Sequence, residues 1–275
     1  MPADKQPYPS VWARPHRPRR EQPPLSREQI VSAALELLDA EGIDALSMRK
    51  LGARLNAGAT SMYTHVANKD ELIELVVDEV YGEVEPPSAD DPGGASDSAG
   101  TGNPAGTGNP AGAGDPAGWR TAIARCAHSM RAAFLRHPWI VSVQGEAGVA
   151  YLGPNVLRQN EAILATFEQG GFTLEAADRA LNTVVAYVVG VATSEAAWLT
   201  TLARSGKSEQ EWTESLWPAA EQAVQEYPRL RKLYAAQRKQ NVRASRDEDF
   251  DSGLQCVLDG LAARFLPGDS SPPSK

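Results

Sequence analysis

Residues 46–69 read LSMRKLGARLNAGATSMYTHVANK. Ser47 stands where a helix N-cap is wanted, and Leu46 and Leu51 flank it at the spacing of a hydrophobic staple. A short helix therefore runs to Leu55, where Asn56 and Gly58 break it. A second short helix follows, from about Thr60 to Val66. Met48, Leu51, Leu55, Met62 and Val66 recur at helical spacing and pack inward, which leaves the second short helix protruding. A protruding helix of this kind fits a DNA major groove. The charge pattern agrees. The stretch holds Arg49, Lys50, Arg54, His65 and Lys69 without one acidic residue, whereas residues 26–45 and 70–85 hold twelve carboxylates against the single base Arg27. One end of the unit is thus set to face phosphates.

A longer helix is expected on each side. Upstream, Ser26 with Gln29 forms a capping box, Leu25 and Ile30 staple it, and Ile30, Ala34, Leu37 and Leu38 share a face until Gly42. Downstream, Asn68 with Glu71 makes a second capping box before the stripe Leu72, Ile73, Val76, Val77 and Val80. Residues 1–25 are Pro-rich, carry Arg14, Arg17, Arg19 and Arg20, and read as a disordered basic arm. Residues 26–85 form the helix-turn-helix domain. Residues 86–118 turn to Gly, Pro, Ala, Asn and Asp, with hexapeptides TGNPAG at 101, TGNPAG at 107 and AGDPAG at 113, the text of a linker or looped insertion.

Helical patterning resumes over residues 119–266, and residues 267–275 read as a tail. Trp119, Ile123, Cys126, Met130, Ala133 and Phe134 make one apolar face that ends at His137-Pro138. A short element lies around Trp139 to Ala150, and Pro154 opens a helix that stops at Gly170-Gly171. Thr173 begins a helix of about thirty residues whose middle, Ala180 to Trp198, is apolar on nearly every side and interrupted by a few residues such as Asn182, Gly190 and Glu195. Phe250, Leu254, Val257, Leu258, Leu261 and Phe265 supply a last stripe. Two such helices, paired with their copies in a second chain, would build a four-helix bundle. No stretch alternates with period two, so the fold class is all-α: a three-helix helix-turn-helix domain followed by a C-terminal helical dimerisation bundle.

The stretch ALELLDAEGIDALSMRKLGARLNAGATSMYTHVANKDELI (34–73) resembles the DNA-binding domain of the tetracycline-repressor (TetR) family of transcriptional regulators. The likeness covers about residues 26–80. It implies that Arg49 meets a base edge or phosphate, that Ala59, Thr60 and Ser61 face bases, and that Tyr63, His65 and Lys69 hold phosphates, with Ser47 and Thr64 completing the set. Ala59 and Thr60 are too small for bidentate contacts to purines, so base discrimination leans on Arg49 and on methyl contacts to thymine. The phrases FLRHPWI, LGPNVLRQNEAIL, EQGGFTLEAADRAL and VVAYVVG resemble the effector domain of the same family. That resemblance implies a homodimer with a small-molecule pocket in each subunit. Candidate lining residues are Phe134, Trp139, Asn160, Phe167, Asn182, Tyr187 and Trp198, apolar walls with a few polar handles. Ala186 occupies the place of the tetracycline repressor's metal-ligating histidine, which argues against a metal–tetracycline chelate.

The chain of 275 residues is 42% hydrophobic, with a net charge of -8 and two cysteines at no metal-ligand spacing. Disulfide frameworks and zinc ribbons are excluded. No run of 18 apolar residues and no signal-like N-terminus is present, so neither a membrane partner nor secretion is expected and a cytoplasmic setting is. The four histidines form no metal-binding pair, and no nucleophile elbow, phosphate loop or dinucleotide fingerprint occurs. The seven bases from Arg229 to Arg246 read as a solvated helical face. No catalytic residue, metal or cofactor is expected. The reading is of a ligand-responsive regulator, most readily a repressor, of a palindromic DNA operator. Two alternatives stay open: a regulator without an effector, its halves uncoupled by the insertion, and a helical-bundle enzyme or small-molecule carrier.

Overall fold

The computed structural model describes residues 25–88, 118–144, 152–238 and 242–266. The basic arm before Leu25, the hexapeptide repeats, the second part of the element sought around Trp139 to Ala150, and the tail lie outside the described residues. Among those described there is no strand. The elements are α1 (Arg27–Glu41), a 3₁₀ turn (Ile43–Ala45), α2 (Met48–Arg54), α3 (Ala59–Tyr63), α4 (Lys69–Gly82), α5 (Trp119–Arg136), α6 (Ile140–Gln144), α7 (Pro154–Gln169), α8 (Leu174–Ser205), α9 (Glu209–Ala223), α10 (Pro228–Gln237) and α11 (Val242–Phe265).

Local chemistry sets the N-terminal helices. The Ser26 hydroxyl accepts the Gln29 N–H, and the Gln29 side chain accepts the Ser26 N–H. Gly42, at φ 81°, ends α1 by donating to the Leu38 carbonyl. Ser47 accepts the Lys50 N–H and starts α2. At its far end Asn56 sits at φ 51°, with Asn56 N–H on the Ala53 carbonyl and Ala57 N–H on the Gly52 carbonyl. That pair of bonds is a Schellman turn with asparagine in the left-handed position. The Ala57 carbonyl lies where a side chain at residue 52 would start, 3.0 Å from an added Cβ, so Gly52 allows the tight turn. Leu51, Met62 and Val66 are buried, and Leu55 partly so. Two expectations shift. The protruding helix α3 stops at Tyr63 instead of Val66, because the His65 and Val66 N–H groups both return to the Met62 carbonyl. The second capping box is only half formed: Asn68 accepts the Glu71 N–H, but the Glu71 carboxylate takes the Ala67 N–H in place of the Asn68 N–H.

The larger core surrounds α5, which packs on α4, α7 and α8, while α11 covers another side of α8. Trp119, Ile123, Cys126, Met130, Ala133 and Phe134 are all buried, as their spacing predicts. Gly171, at φ 91°, closes α7 in a second Schellman turn: its N–H meets the Glu168 carbonyl and the Phe172 N–H meets that of Phe167. The turn brings the Phe167 and Phe172 rings to 5.1 Å, with Trp119 against both at 5.5 and 5.0 Å. Burial pushes the Cys126 thiol up to about 12, despite the amide of Gln159 on its sulfur. That thiol is a core packing group, not a nucleophile. By length and composition α8 could cross a membrane. Here it is the central helix of the bundle, packed by α5, α7 and α11.

Helices α9 and α10 form a hairpin with no buried residue in either helix. Trp217 stacks edgewise on Tyr234 and Arg238 pairs with Glu221. Arg229, Arg231 and Lys232 are exposed, as a solvated face requires. Arg246 departs from that reading, since it turns inward to Glu209 and Glu195.

A Cβ at Gly170 would lie 2.6 Å from the buried Trp119 ring. The backbone there is right-handed helical, so only the clash opposes a side chain. Gly170→Ala is expected to cost about 1–3 kcal/mol by overpacking, read as a thermal midpoint several degrees lower. An unchanged midpoint would show that the Trp119 cluster is loose.

Candidate nucleic-acid interface and its junction to the helical core

The basic end of the helix-turn-helix is less uniformly charged than its sequence suggests. Lys50 pairs with Glu41 and Arg54 with Glu36, both carboxylates reaching over from α1. Among the described residues Arg49, exposed, and Lys69, half-buried, pair with no carboxylate. Lys69 opens α4, where the positive end of the helix dipole disfavours an ammonium. An external phosphate would relieve that and also meet backbone N–H groups. The Tyr63 side chain is 53% exposed, which excludes a core role. Ser61 and Thr64 are exposed, the Thr64 hydroxyl donating to the Ser61 carbonyl. His65 is half-buried, its carbonyl accepting from Arg27, which also pairs with Glu71. Ser47 is exposed, with its hydroxyl engaged as the α2 cap. The side chains of Ala59 and Thr60 lie outside the described residues.

A second set of groups ties this unit to the core, and sequence reasoning missed it. Asp78 is buried in α4, and its Oδ1 accepts the N–H groups of Asn155 and Val156 at 2.9 and 3.0 Å. The carboxylate therefore caps α7, whose own preceding residue, Gly153, has no side chain to do so. The Asn155 side-chain amide donates as well, to the Asp78 carbonyl. A Cβ at Gly153 would lie 2.2 Å from Asp78, so glycine is needed for the approach. Nearby, the His137 ring has Asp39 of α1 at 2.7 Å on Nδ1 and Glu83, at the end of α4, at 3.0 Å on Nε2. Trp139 donates its indole N–H to the same Asp39 oxygen, and Arg136 donates to Glu83. Burial raises the Glu83 carboxyl, but the Arg136 hydrogen bond and the His137 interaction outweigh it and hold the group below its ordinary value. The available signal was a helix start, Gly153-Pro154, without a capping side chain; Asp78 lies on the face of α4 away from the apolar stripe, where a carboxylate is ordinary.

The expected effector residues separate into three groups. Phe134, Trp139 and Phe167 are enclosed by neighbouring side chains, Phe134 against Tyr81 and Phe167 in the Trp119 cluster. Asn182 is exposed, its amide turned back on Asp178, and Asn160 is half-buried on α7. Tyr187 and Trp198 line a cleft of about 260 Å³ with Glu195, Arg246, Asp249 and Phe250. Beneath it, Arg131 of α5 grips Glu195 of α8 with two bonds of 2.8 and 2.9 Å and reaches Asp247 at 2.9 Å. Burial works against the Arg131 charge, but these carboxylates outweigh it and raise its pKa.

Residues 30–76 match the family of bacterial regulatory proteins of the tetR family, and residues 111–265 match the tetracyclin repressor-like C-terminal domain. The chain belongs to the TetR family. A relative, the HTH-type transcriptional repressor DrrR1 of Streptomyces coeruleorubidus, is 32% identical over 95% of this chain and 87% of its own length. An HTH-type transcriptional regulator of Saccharopolyspora erythraea is 35% identical over 69% of each chain. Among solved structures, the Streptomyces coelicolor TetR family protein ActR in complex with actinorhodin has a TM-score of 0.67 and 27% identity, over 89% of this chain and 99% of that one. The all-α TetR architecture is thus established, and the chain is a transcriptional regulator, not an enzyme.

Arg49→Ala and Lys69→Ala are each expected to weaken binding to double-stranded DNA and to lower the slope of log affinity against log salt by about one. Arg54→Ala, whose guanidinium is already paired, is expected to change the slope less. Equal slopes for all three would contradict the division into paired and free cations. For Glu83, a depressed folded-state value means stability that is present above about pH 4.5 and is lost as pH falls below it. Glu83→Gln is therefore expected to flatten the acid limb of a thermal-midpoint-against-pH curve. An acid limb as steep as the wild type's would remove Glu83 from the junction.

Proposed function

We propose that this TetR-family protein is a homodimeric repressor that occupies a palindromic operator in the cytoplasm and leaves it when a small molecule binds the helical core. The observation that carries the reading is the capping of α7 by Asp78 of α4, since it links the DNA-reading unit to the effector core by a directional bond. The insertion between residues 88 and 118 leaves α4 packed on α7 and α5, which disfavours the reading of uncoupled halves. In the dimer, Arg49, Ala59, Thr60, Ser61 and Tyr63 would meet the operator with Ser47, Thr64, His65 and Lys69. Two copies of α3 would enter major grooves about 34–36 Å apart or a multiple of it. A ligand that binds better to a dimer with displaced α7 would carry α4 along and shift the population away from the DNA-competent spacing.

Dimerisation through α8 and α11 is supported by the surface these helices leave open. Ala186, Gly190, Thr193 and Ala197 on α8 are small and exposed, and a Cβ at Gly190 or at Gly260 of α11 meets no atom within 4 Å. Small side chains let a second pair of helices approach closely, as a four-helix bundle needs. ActR, solved in apo form and with actinorhodin, shows that a structural relative accommodates a small molecule in this fold.

Selection from random double-stranded DNA at moderate salt tests the proposal. The wild type is expected to enrich a palindrome that an Arg49→Ala, Tyr63→Ala variant does not. No enrichment, or equal enrichment by the variant, would remove α3 from the recognition role.

A further inference from the structure

Outside the α4 junction, charge is concentrated where α5, α8, α9 and α11 meet. Two clefts, of about 260 and 540 Å³, open there and share Glu195 and Arg246 in their linings. Together they have the size of a small-molecule site. Their walls carry Glu195, Glu209, Asp247 and Asp249 against two guanidiniums, Arg131 and Arg246. Both guanidiniums are engaged: Arg131 by Glu195 and Asp247, Arg246 by Glu209 and Glu195. His128, also in the larger cleft, is engaged by Asp251. Asp249 pairs with no cation among the described residues, so the smaller cleft keeps an unspent carboxylate at its edge. The rest of that wall is Tyr187, Val191, Trp198 and Phe250, with Ser194, whose hydroxyl donates to the Gly190 carbonyl of its own helix.

The polar atoms of the aromatic residues are already satisfied. The Tyr187 hydroxyl donates to the Phe250 carbonyl, and the Trp198 indole donates to Glu209. Gly253 makes room for that tyrosine, since a Cβ there would lie 2.3 Å from its hydroxyl oxygen. Tyr187 and Trp198 therefore offer ring surface to a ligand in place of hydrogen bonds. Aromatic surface and an uncompensated carboxylate are complementary to one ligand class, a ring system bearing an ammonium group. An anionic ligand would meet Asp249 and Glu195 with both available guanidiniums already committed.

We propose that the cleft between α8 and α11 binds an aromatic cation, its rings against Trp198 and Tyr187 and its ammonium on Asp249. The proposal rests on the effector-responsive reading above and gives the effector a chemical class. Calorimetric titration of the full-length, DNA-free protein with 1-naphthylmethylammonium and with 1-naphthylacetate tests it, the two probes sharing a ring and differing in charge. The expected result is saturable binding of the ammonium probe and none of the carboxylate. Asp249→Asn should weaken the ammonium probe about tenfold or more, as loss of a charge-assisted contact does, and Asp249→Glu should restore it. Asp249 is exposed, so circular dichroism should show each variant folded. Binding of both probes alike, binding of neither, or an Asp249→Asn titration equal to the wild type's would overturn the cation site. Operator release is read separately, on the selected DNA. Ammonium binding that depends on Asp249 but leaves the protein on its operator keeps the site and overturns the effector reading. Release of the operator by another compound, with naphthylmethylammonium unbound, does the reverse.

Discussion

The α4–α7 junction hangs on one carboxylate. Asp78 lies on the face of α4 away from the stripe of Leu72, Val76 and Val80, and its burial is tolerated because it accepts two backbone N–H groups that α7 cannot satisfy from its own sequence. Each side needs the other: α7 starts after a glycine that must be small to admit Asp78, and Asp78 would be an uncompensated buried charge without the α7 amides. The two bonds, at 2.9 and 3.0 Å, are directional, and in the proposed mechanism they would carry a displacement of α7 to α4. His137 reinforces the tie from the other side by bridging Asp39 of α1 and Glu83 at the end of α4.

Charge in this molecule is best understood by asking which groups are spent on partners inside the chain. In the helix-turn-helix, Lys50 and Arg54 are held by α1 carboxylates, and such exposed pairs add little stability. Their consequence lies in leaving Arg49 and Lys69 as the cations open to a phosphate. In the core the same logic runs with the opposite sign. Arg131 and Arg246 are spent on Glu195, Asp247 and Glu209, so the residual charge at the surface of the cleft is negative. Replacing one member of the Arg131–Glu195 pair would leave a buried charge alone, which costs far more than the intact pair contributes.

Much of the fold was legible because it rests on neighbours in sequence. Ser26, Ser47 and Thr173 cap the helices they precede, Gly42 and Gly171 stop them, and apolar spacing names the buried residues of α5 and the HTH unit. The misses also have physical causes. The Ser208 capping box and the spacing of Trp212, Leu216 and Ala220 mark α9 as a helix, yet neither it nor α10 buries a residue, so periodicity there does not report burial. Glu71 turned to Ala67 and not to Asn68, a choice between two N–H groups one residue apart that spacing alone does not make. Of the expected effector residues, Phe134, Trp139 and Phe167 are large and apolar, features that wall residues of a cavity share with core residues.

The sequence by itself determined the helical class, the helix-turn-helix and the family, because caps, turns and amphipathic periods are short-range properties that a chain carries wherever it folds. Tertiary structure alone decided which charges remain free, which aromatic residues meet a cleft, and how the DNA-reading unit is joined to the core. Those outcomes depend on pairs such as Asp78 with Asn155 and Arg131 with Glu195, separated by 77 and 64 residues. A side chain's burial and partner across such a distance are fixed by packing, and no local pattern encodes them.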